Sequence, residues 1–160
     1  MSVVLRSLYF VIALCGFCLG FGLSPARADQ AAARPERTVS VILATINSER
    51  AAYHERMLRL DQRLCGVAAA HAVDMVQHNY FDHVSLDGLS PFDRMAASHL
   101  RFGYAGENLA LDTDPVAAST ALWNSIEHRR NLLEPHYKEV GIATVKRSDG
   151  EIVVVEDFSD

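Results

Sequence analysis

The sequence places a carboxylate inside an apolar segment. Residues 104–111 read Y-A-G-E-N-L-A-L, a short run whose apolar side chains are typical of a buried strand, and Glu107 lies near its middle. An ionised carboxylate that is buried without a partner is strongly destabilising. We therefore expect another segment of the chain to supply a side chain that pairs with Glu107.

The other residues suited to chemistry form weaker patterns. His71 and His78 are seven residues apart on one predicted helix face, which would suit a metal pair, although such histidines more often lie at the rim of the core or in solvent. Cys65 lies in the same helix, and no base can be assigned to it. We therefore interpret its role as that of a small apolar residue and not of a nucleophile. The sequence contains neither H-E-x-x-H nor G-x-S-x-G, so two common hydrolase signatures are missing.

The first 28 residues have the pattern of a secretory signal peptide. Arg6 precedes an apolar run over residues 8–23, and Ala26-Arg27-Ala28 supplies small residues ahead of a cleavage site before Asp29. This pattern predicts a secreted or periplasmic protein with no stable membrane span after cleavage.

Charge and cysteine content restrict the function of the exported part. The whole chain has a net charge of −5, and the leader holds two of its 15 basic residues and none of its 20 acidic ones. The exported part is therefore still more acidic, which argues against nucleic acid as a partner. Only Cys65 remains after cleavage, so no internal disulfide is expected.

The remaining segments alternate between helical and strand patterns. We interpret residues 29–37 as a linker and residues 38–160 as one domain. Helices are predicted over residues 38–57 and 61–78, and two more begin at Ser90-Pro91 and Asp114-Pro115, where a capping residue precedes proline. Two β-rich runs flank Asp149-Gly150 and predict a hairpin. Helices and a small antiparallel sheet in this order predict an α+β sandwich.

Four segments in this order resemble the CAP superfamily, also called the SCP or pathogenesis-related-1 family, in its short bacterial form. They are residues 81–85 (F-D-H-V-S), 106–110 (G-E-N-L-A), 123–133 (W-N-S-I-E-H-R-R-N-L-L) and 140–143 (V-G-I-A). The resemblance extends over about residues 41–158. It implies a three-layer α-β-α sandwich and a cleft lined by two histidines and two acids.

The resemblance carries His83, Glu107 and His128 onto that cleft. Glu107 would direct its carboxylate at one or both imidazoles. Two imidazoles and a carboxylate form the ligand set of known zinc sites, so these three residues are candidate ligands for zinc or another divalent cation. The alternative is a buried polar network that never binds an ion.

Two departures from the family pattern lead to further expectations. Residues 125–128 (S-I-E-H) lack the Pro-Gly that precedes this histidine in bacterial relatives, so the preceding helix is expected to run further. The second acid of the cleft has no clear counterpart. Glu127 is the nearest candidate, but adjacent side chains on a helix diverge by about 100°, so we do not expect it to point with His128.

The resemblance implies recognition rather than a defined reaction. We expect an exported module that binds a lipid, cell-wall material or a protein partner through this cleft. A metal-dependent hydrolase acting on peptide or cell-wall bonds is the alternative, and a structural module with an inert cleft is a third possibility.

Overall fold

The structure, a computed structural model, describes the backbone of residues 25–160 and the side chains from residue 36 onward. Its elements are α1 (Pro25–Ala52), β1 (Arg59–Leu60), α2 (Gln62–His78), α3 (Pro91–Ala97), β2 (Ala105–Asp112), α4 (Pro115–Asn124), α5 (Ile126–Leu132), β3 (Glu139–Lys146) and β4 (Ile152–Ser159). Among these residues no helix is both long and apolar enough to cross a membrane.

The first helix includes the end of the predicted leader and the whole predicted linker. Residues 1–24 of the leader lie outside the described residues, and residues 25–28 begin α1. Residues 29–37, which we interpreted as a linker, continue the same helix. Their role as a domain boundary stays a prediction.

Four strands form one sheet in the order β1-β3-β4-β2. β3 and β4 are the predicted antiparallel hairpin, and Gly150 in their turn has φ +98°, a conformation that glycine adopts without strain. β2 pairs with β4 and has no second strand beside it in the described part of the chain. The two-residue strand β1 was not predicted, because it is too short to show a pattern. The segment that carries Glu107 is thus an edge strand.

Helices cover both faces of this sheet. On one face Leu109 and Val155 pack with Ala72 and Met75 of α2. On the other face the buried residues come from the sheet and from α1, α4 and α5: Ile42, Ile46, Ala110, Ala118, Leu122, Leu132, Val140, Ile142, Val154 and Phe158. These layers confirm the predicted three-layer α-β-α sandwich.

Helix α2 lies unusually close to the sheet. It contacts β3 where that strand carries Gly141, and a Cβ at this glycine would overlap the backbone of Leu64. Ala68 and Ala72 on the same helix face are fully buried. Small residues on both sides allow this approach, which fixes α2 and the loop that follows it against the sheet.

The expectation that α4 would continue towards His128 is wrong. α4 ends at Asn124, and Ser125 has extended backbone angles, φ −80° and ψ 126°, before α5 begins at Ile126. Serine competes with regular helical hydrogen bonding and favours helix ends, so one serine replaces the missing proline and glycine as the helix break. The break gives His128 a helix of its own.

Candidate functional site

The partner of Glu107 is His83. The Glu107 side chain is only 1% exposed, and its Oε1 accepts a hydrogen bond from Nδ1 of His83 at 2.7 Å. His83 lies in the loop between α2 and α3, and its ring is half exposed. The hydrogen bond to Glu107 raises the pKa of His83, outweighing the opposing effect of burial. Because Nδ1 donates to the carboxylate, the neutral ring carries its lone pair on Nε2.

Arg94 is the second partner of Glu107. Its Nη2 donates to Oε2 of the carboxylate at 2.7 Å, and the arginine side chain is only 10% exposed. Nη1 donates to the backbone carbonyls of His83 and Leu89, each at 2.9 Å. One guanidinium therefore neutralises the buried carboxylate and also holds the loop that carries His83.

A capped helix places Arg94. Ser90 and Asp93 form a reciprocal capping box at the start of α3, and Pro91 occupies its first turn, as the sequence predicted. The position of Arg94 opposite Glu107 was not predicted. An arginine on a short helix looks like a solvated residue in sequence, and only the tertiary structure brings it to the carboxylate.

Two further titratable groups surround Glu107. His71 is 1% exposed, its Nε2 lies 3.0 Å from the carbonyl oxygen of Asp82, and it approaches Oε2 of Glu107 at 4.0 Å. Burial lowers the pKa of His71, which favours the neutral ring. Asp157 is the register partner of Glu107 on β4, and burial together with the Glu107 charge raises its pKa well above the ordinary value. We expect both neighbours to be uncharged, so that Arg94 and His83 compensate a single negative charge.

The two helical histidines that were considered as a metal pair make different contacts. His71 points into the buried network, whereas His78 is half exposed and contacts Asp74 on its own helix. The interpretation that they are not a metal pair stays a prediction. Cys65 is partly buried and free, and burial raises the pKa of its thiol, which makes it a poor nucleophile.

His128 approaches the same region from the opposite side. It lies in the first turn of α5, and its Nδ1 is 2.9 Å from Oγ of Ser125. This serine is the N-cap residue of α5, yet its hydroxyl makes no capping bond to the helix backbone. Burial lowers the pKa of His128, and the charge of His83 contributes to the same shift.

A cleft of about 350 Å³ brings His83 and His128 together. Its lining consists of polar residues: His83, Glu107, Asn108, Glu127, His128, Arg130, Asn131 and Glu134. Both rings are anchored through Nδ1, and Nε2 of neither ring is hydrogen-bonded to another described residue. The cleft therefore contains two ring nitrogens available to a ligand.

Glu127, which was considered for the second acid of the cleft, also lines it. Its side chain is 83% exposed and forms a loose ion pair with Arg130 at 3.8 Å. A long glutamate can reach the wall that its neighbour His128 also occupies, although the two side chains leave the helix in different directions. Its negative charge partly offsets the lowered pKa of His128.

The cleft does not contain a complete set of metal ligands from the protein alone. Among the described residues, no three His, Cys, Asp or Glu side chains are grouped closely enough to hold one ion. Both oxygens of Glu107 are engaged, by His83 and Arg94. A cation here would take Nε2 of His83 and His128 together with water, with Glu107 supporting His83 from behind. Assignment of the three residues as metal ligands stays a prediction.

Comparisons with known proteins agree with this architecture. Residues 43–158 match the cysteine-rich secretory protein family, CAP. Two curated proteins of Bacillus subtilis strain 168 are similar: the uncharacterized protein YkwD, 37% identical over 101 residues, and the uncharacterized membrane protein YlbC, 38% identical over 91 residues. These matches cover 62% and 56% of this chain but only 39% and 26% of the relatives. The chain thus spans well under half the length of either relative.

Two solved structures of bacterial proteins have a similar fold. An extracellular protein containing an SCP domain from Bacillus anthracis superposes with a TM-score of 0.73 at 29% identity, over 86% of this chain and 44% of that one. An outer surface protein from Borrelia burgdorferi has a TM-score of 0.73 at 22% identity, over 78% of this chain and 92% of that one. The second comparison supports the fold alone.

Proposed function

This chain belongs to the cysteine-rich secretory protein family, CAP, and we propose that it is an exported recognition module whose cleft binds its ligand between His83 and His128 and can hold a divalent cation there. One observation carries the proposal: two imidazoles from separate segments are each anchored at Nδ1 and line one cleft with Nε2 unengaged. Metal-binding histidines are commonly oriented in this way.

Export is supported by the relatives and by the leader pattern. Similar folds occur in a protein described as extracellular and in one described as an outer surface protein. The apolar run over residues 8–23 and the small residues before Asp29 have the form of a cleaved signal peptide. We propose that residues 29–160 act outside the cytoplasm.

The polar lining of the cleft bears on the class of ligand. All eight lining residues carry charged or hydrogen-bonding side chains. Burying an acyl chain or a sterol against such groups would leave them unpaired, at a cost in binding free energy. We therefore favour cell-wall material or a protein partner over a lipid for this cleft.

Each residue has a separate part in this proposal. Glu107 fixes the tautomer and orientation of His83, Arg94 neutralises Glu107 and holds the loop, and Ser125 orients His128. A bound zinc ion would supply open coordination positions that accept oxygen atoms of a ligand. The protein groups would then orient that ligand through the polar walls of the cleft.

The contacts of Glu107 favour recognition over hydrolysis. To act as the base of a hydrolase at this site, Glu107 would need an oxygen free to take a proton from water. Glu107 is buried, and its two oxygens already accept hydrogen bonds from His83 and Arg94. We therefore place binding ahead of the metal-dependent hydrolase that acts on peptide or cell-wall bonds.

Metal analysis of the purified protein, combined with thermal melts, tests the cation part of this function. A ligand that binds only the folded state at about 100 times its dissociation constant adds roughly 2.7 kcal/mol, which is visible as a higher melting temperature. We expect zinc to raise the melting temperature of the wild type. Identical melts with and without zinc, from a protein purified without metal, would favour the inert module.

A further inference from the structure

A second carboxylate lies beneath the cleft, buried more deeply than Glu107. Glu156 on β4 is fully buried, and its side chain is on the opposite face of the sheet from Glu107. Its Oε2 is 3.3 Å from Nδ2 of Asn108, and its Oε1 has no partner among the described residues. Neither the acid nor the carboxylate is fully satisfied, so the group is poised between two protonation states.

Among the described residues, no charged side chain forms an ion pair with Glu156 or contributes to the shift of its pKa. Ile142 is the register partner on β3, and α4 contains no titratable residue. On α5, His128 reaches this region through its backbone carbonyl, 3.4 Å from Nδ2 of Asn108. Arg50 is the buried cation of α1, and it donates to the carbonyls of Arg56, Leu132 and Glu134.

A chain of hydrogen bonds connects Glu156 to the floor of the cleft. Tyr137 Oη donates to Oδ1 of Asn131 at 2.8 Å, and Nδ2 of Asn131 donates to Oδ1 of Asn108 at 3.0 Å. Asn108 then donates to Glu156. Every donor points towards the carboxylate, which is the arrangement that suits its ionised form. Both asparagines line the cleft.

Protonation of Glu156 favours the reverse arrangement. The acid would donate to Oδ1 of Asn108, whose Nδ2 would turn to Asn131, and Nδ2 of Asn131 would turn to Tyr137. The bonds along the chain remain in either direction, so the two arrangements can be close in free energy. Burial raises the pKa of Glu156 to about 7, so a change of pH around neutrality would select between them.

We propose that Glu156 is a proton-controlled switch beneath the cleft, which reverses the amides of Asn108 and Asn131 and so changes the polarity of the cleft floor. The ionised form adds a negative charge below the two histidines and favours a cation in the cleft. The protonated form removes that charge. This makes recognition at the proposed site dependent on the pH outside the cell.

Side-chain amide signals of the two asparagines test the switch directly. In a ¹⁵N-labelled protein titrated from acid to mildly alkaline pH, we expect both amides to shift with one common midpoint. Glu156→Gln should abolish this transition, because the glutamine cannot ionise. Glu139→Gln removes a carboxylate from neighbouring β3 and should leave it unchanged. A wild type without the transition, or a transition that persists in Glu156→Gln, would overturn the proposal.

The coupling to a cation rests on the proposed function, and zinc alone serves as its probe. Calorimetry in buffers of different ionisation enthalpy should show that, below the amide midpoint, the wild type releases up to one more proton per zinc than Glu156→Gln does. Equal release would overturn the coupling while the cation site stands. If the wild type binds no zinc, the cation site fails, and the amide titration still decides for or against the switch.

Discussion

Arg94 and Glu107 form a buried ion pair, 2.7 Å between Nη2 and Oε2, that links the loop bearing His83 to the edge strand of the sheet. Nη1 of the same guanidinium donates to the backbone carbonyls of His83 and Leu89 and so holds that loop. The geometry of the cleft thus depends on Arg94, which is not itself one of the residues that line the cleft. Arg94 therefore both holds the loop in position and compensates the negative charge of Glu107.

Replacement of Arg94 by alanine should strongly destabilise the protein. It leaves the carboxylate of Glu107 buried beside a half-exposed imidazole as its main partner, and removal of one member of a buried pair costs about 3 kcal/mol. Urea unfolding measures this loss. Arg101→Ala, an exposed arginine beyond α3, provides the control and should change stability by less than about 0.5 kcal/mol. A loss for Arg94→Ala no larger than that of the control would contradict this role.

Two glycines should respond to alanine with opposite signs. In Gly141→Ala the new methyl overlaps the Leu64 backbone of α2, and such overpacking costs about 1–3 kcal/mol. Gly66 lies within α2 with nothing near the position of a Cβ, so Gly66→Ala should stabilise by about 0.5–1 kcal/mol. Thermal melts of the two variants give the comparison. Equal shifts would mean that α2 does not lie as close to β3 as described.

The contribution of Glu156 to the free energy of unfolding should fall as pH rises from about 4.5 to about 7. Burial raises the pKa of Glu156 from its ordinary value of 4.5 to about 7, so the folded state binds this proton more tightly than the unfolded chain does. Stability from this group is therefore complete below pH 4.5 and is lost up to about pH 7, a difference of about 3 kcal/mol.

The variant Glu156→Gln isolates that contribution. The raised pKa of Asp157 acts in the same direction in both proteins, so the difference between them reports Glu156. Free energies of unfolding in urea at several pH values should decline less steeply in the variant. Parallel curves for the two proteins would show that Glu156 ionises as easily in the folded state as in the unfolded chain.

Part of this site could be predicted from the sequence, because a charged side chain in a buried segment needs a partner that compensates its charge. A glutamate inside an apolar strand needs a partner, and the family motifs supplied His83 and His128. Arg94 could not be found in this way, since an arginine on a short capped helix looks the same whether it faces solvent or a carboxylate. Glu156 could not be identified for a related reason. It lies in a β-rich run, and the neighbouring sequence does not show that helices bury its face of the sheet.

The helix break at Ser125 was not predicted, because serine interrupts helices less often than proline or glycine does. A serine side chain can instead hydrogen-bond to nearby groups, and here Oγ of Ser125 lies 2.9 Å from Nδ1 of His128, three residues later. The hairpin and the capped helices were predicted correctly, because Asp-Gly and Ser-Pro act through local backbone geometry that needs no distant partner.

Ser125→Ala should weaken the site without weakening the fold. The hydroxyl positions His128 and does not cap α5, so we expect zinc affinity to fall about 10-fold while stability changes by less than about 0.5 kcal/mol. Ser90→Ala is the matched variant, because that hydroxyl does cap α3 and its loss should cost about 1 kcal/mol. If Ser125→Ala binds zinc as the wild type does, the serine has no part in orienting His128.

The central claim is that the imidazoles of His83 and His128 act together on one ligand in the cleft. Calorimetric titration of zinc into residues 29–160 tests it most directly, with His78→Ala as a control because that histidine lies on α2 outside the cleft. We predict one site in the wild type and in the control, and its loss in His83→Ala and in His128→Ala while both variants remain folded. Undiminished zinc binding in the double variant, or none in the wild type, would contradict it.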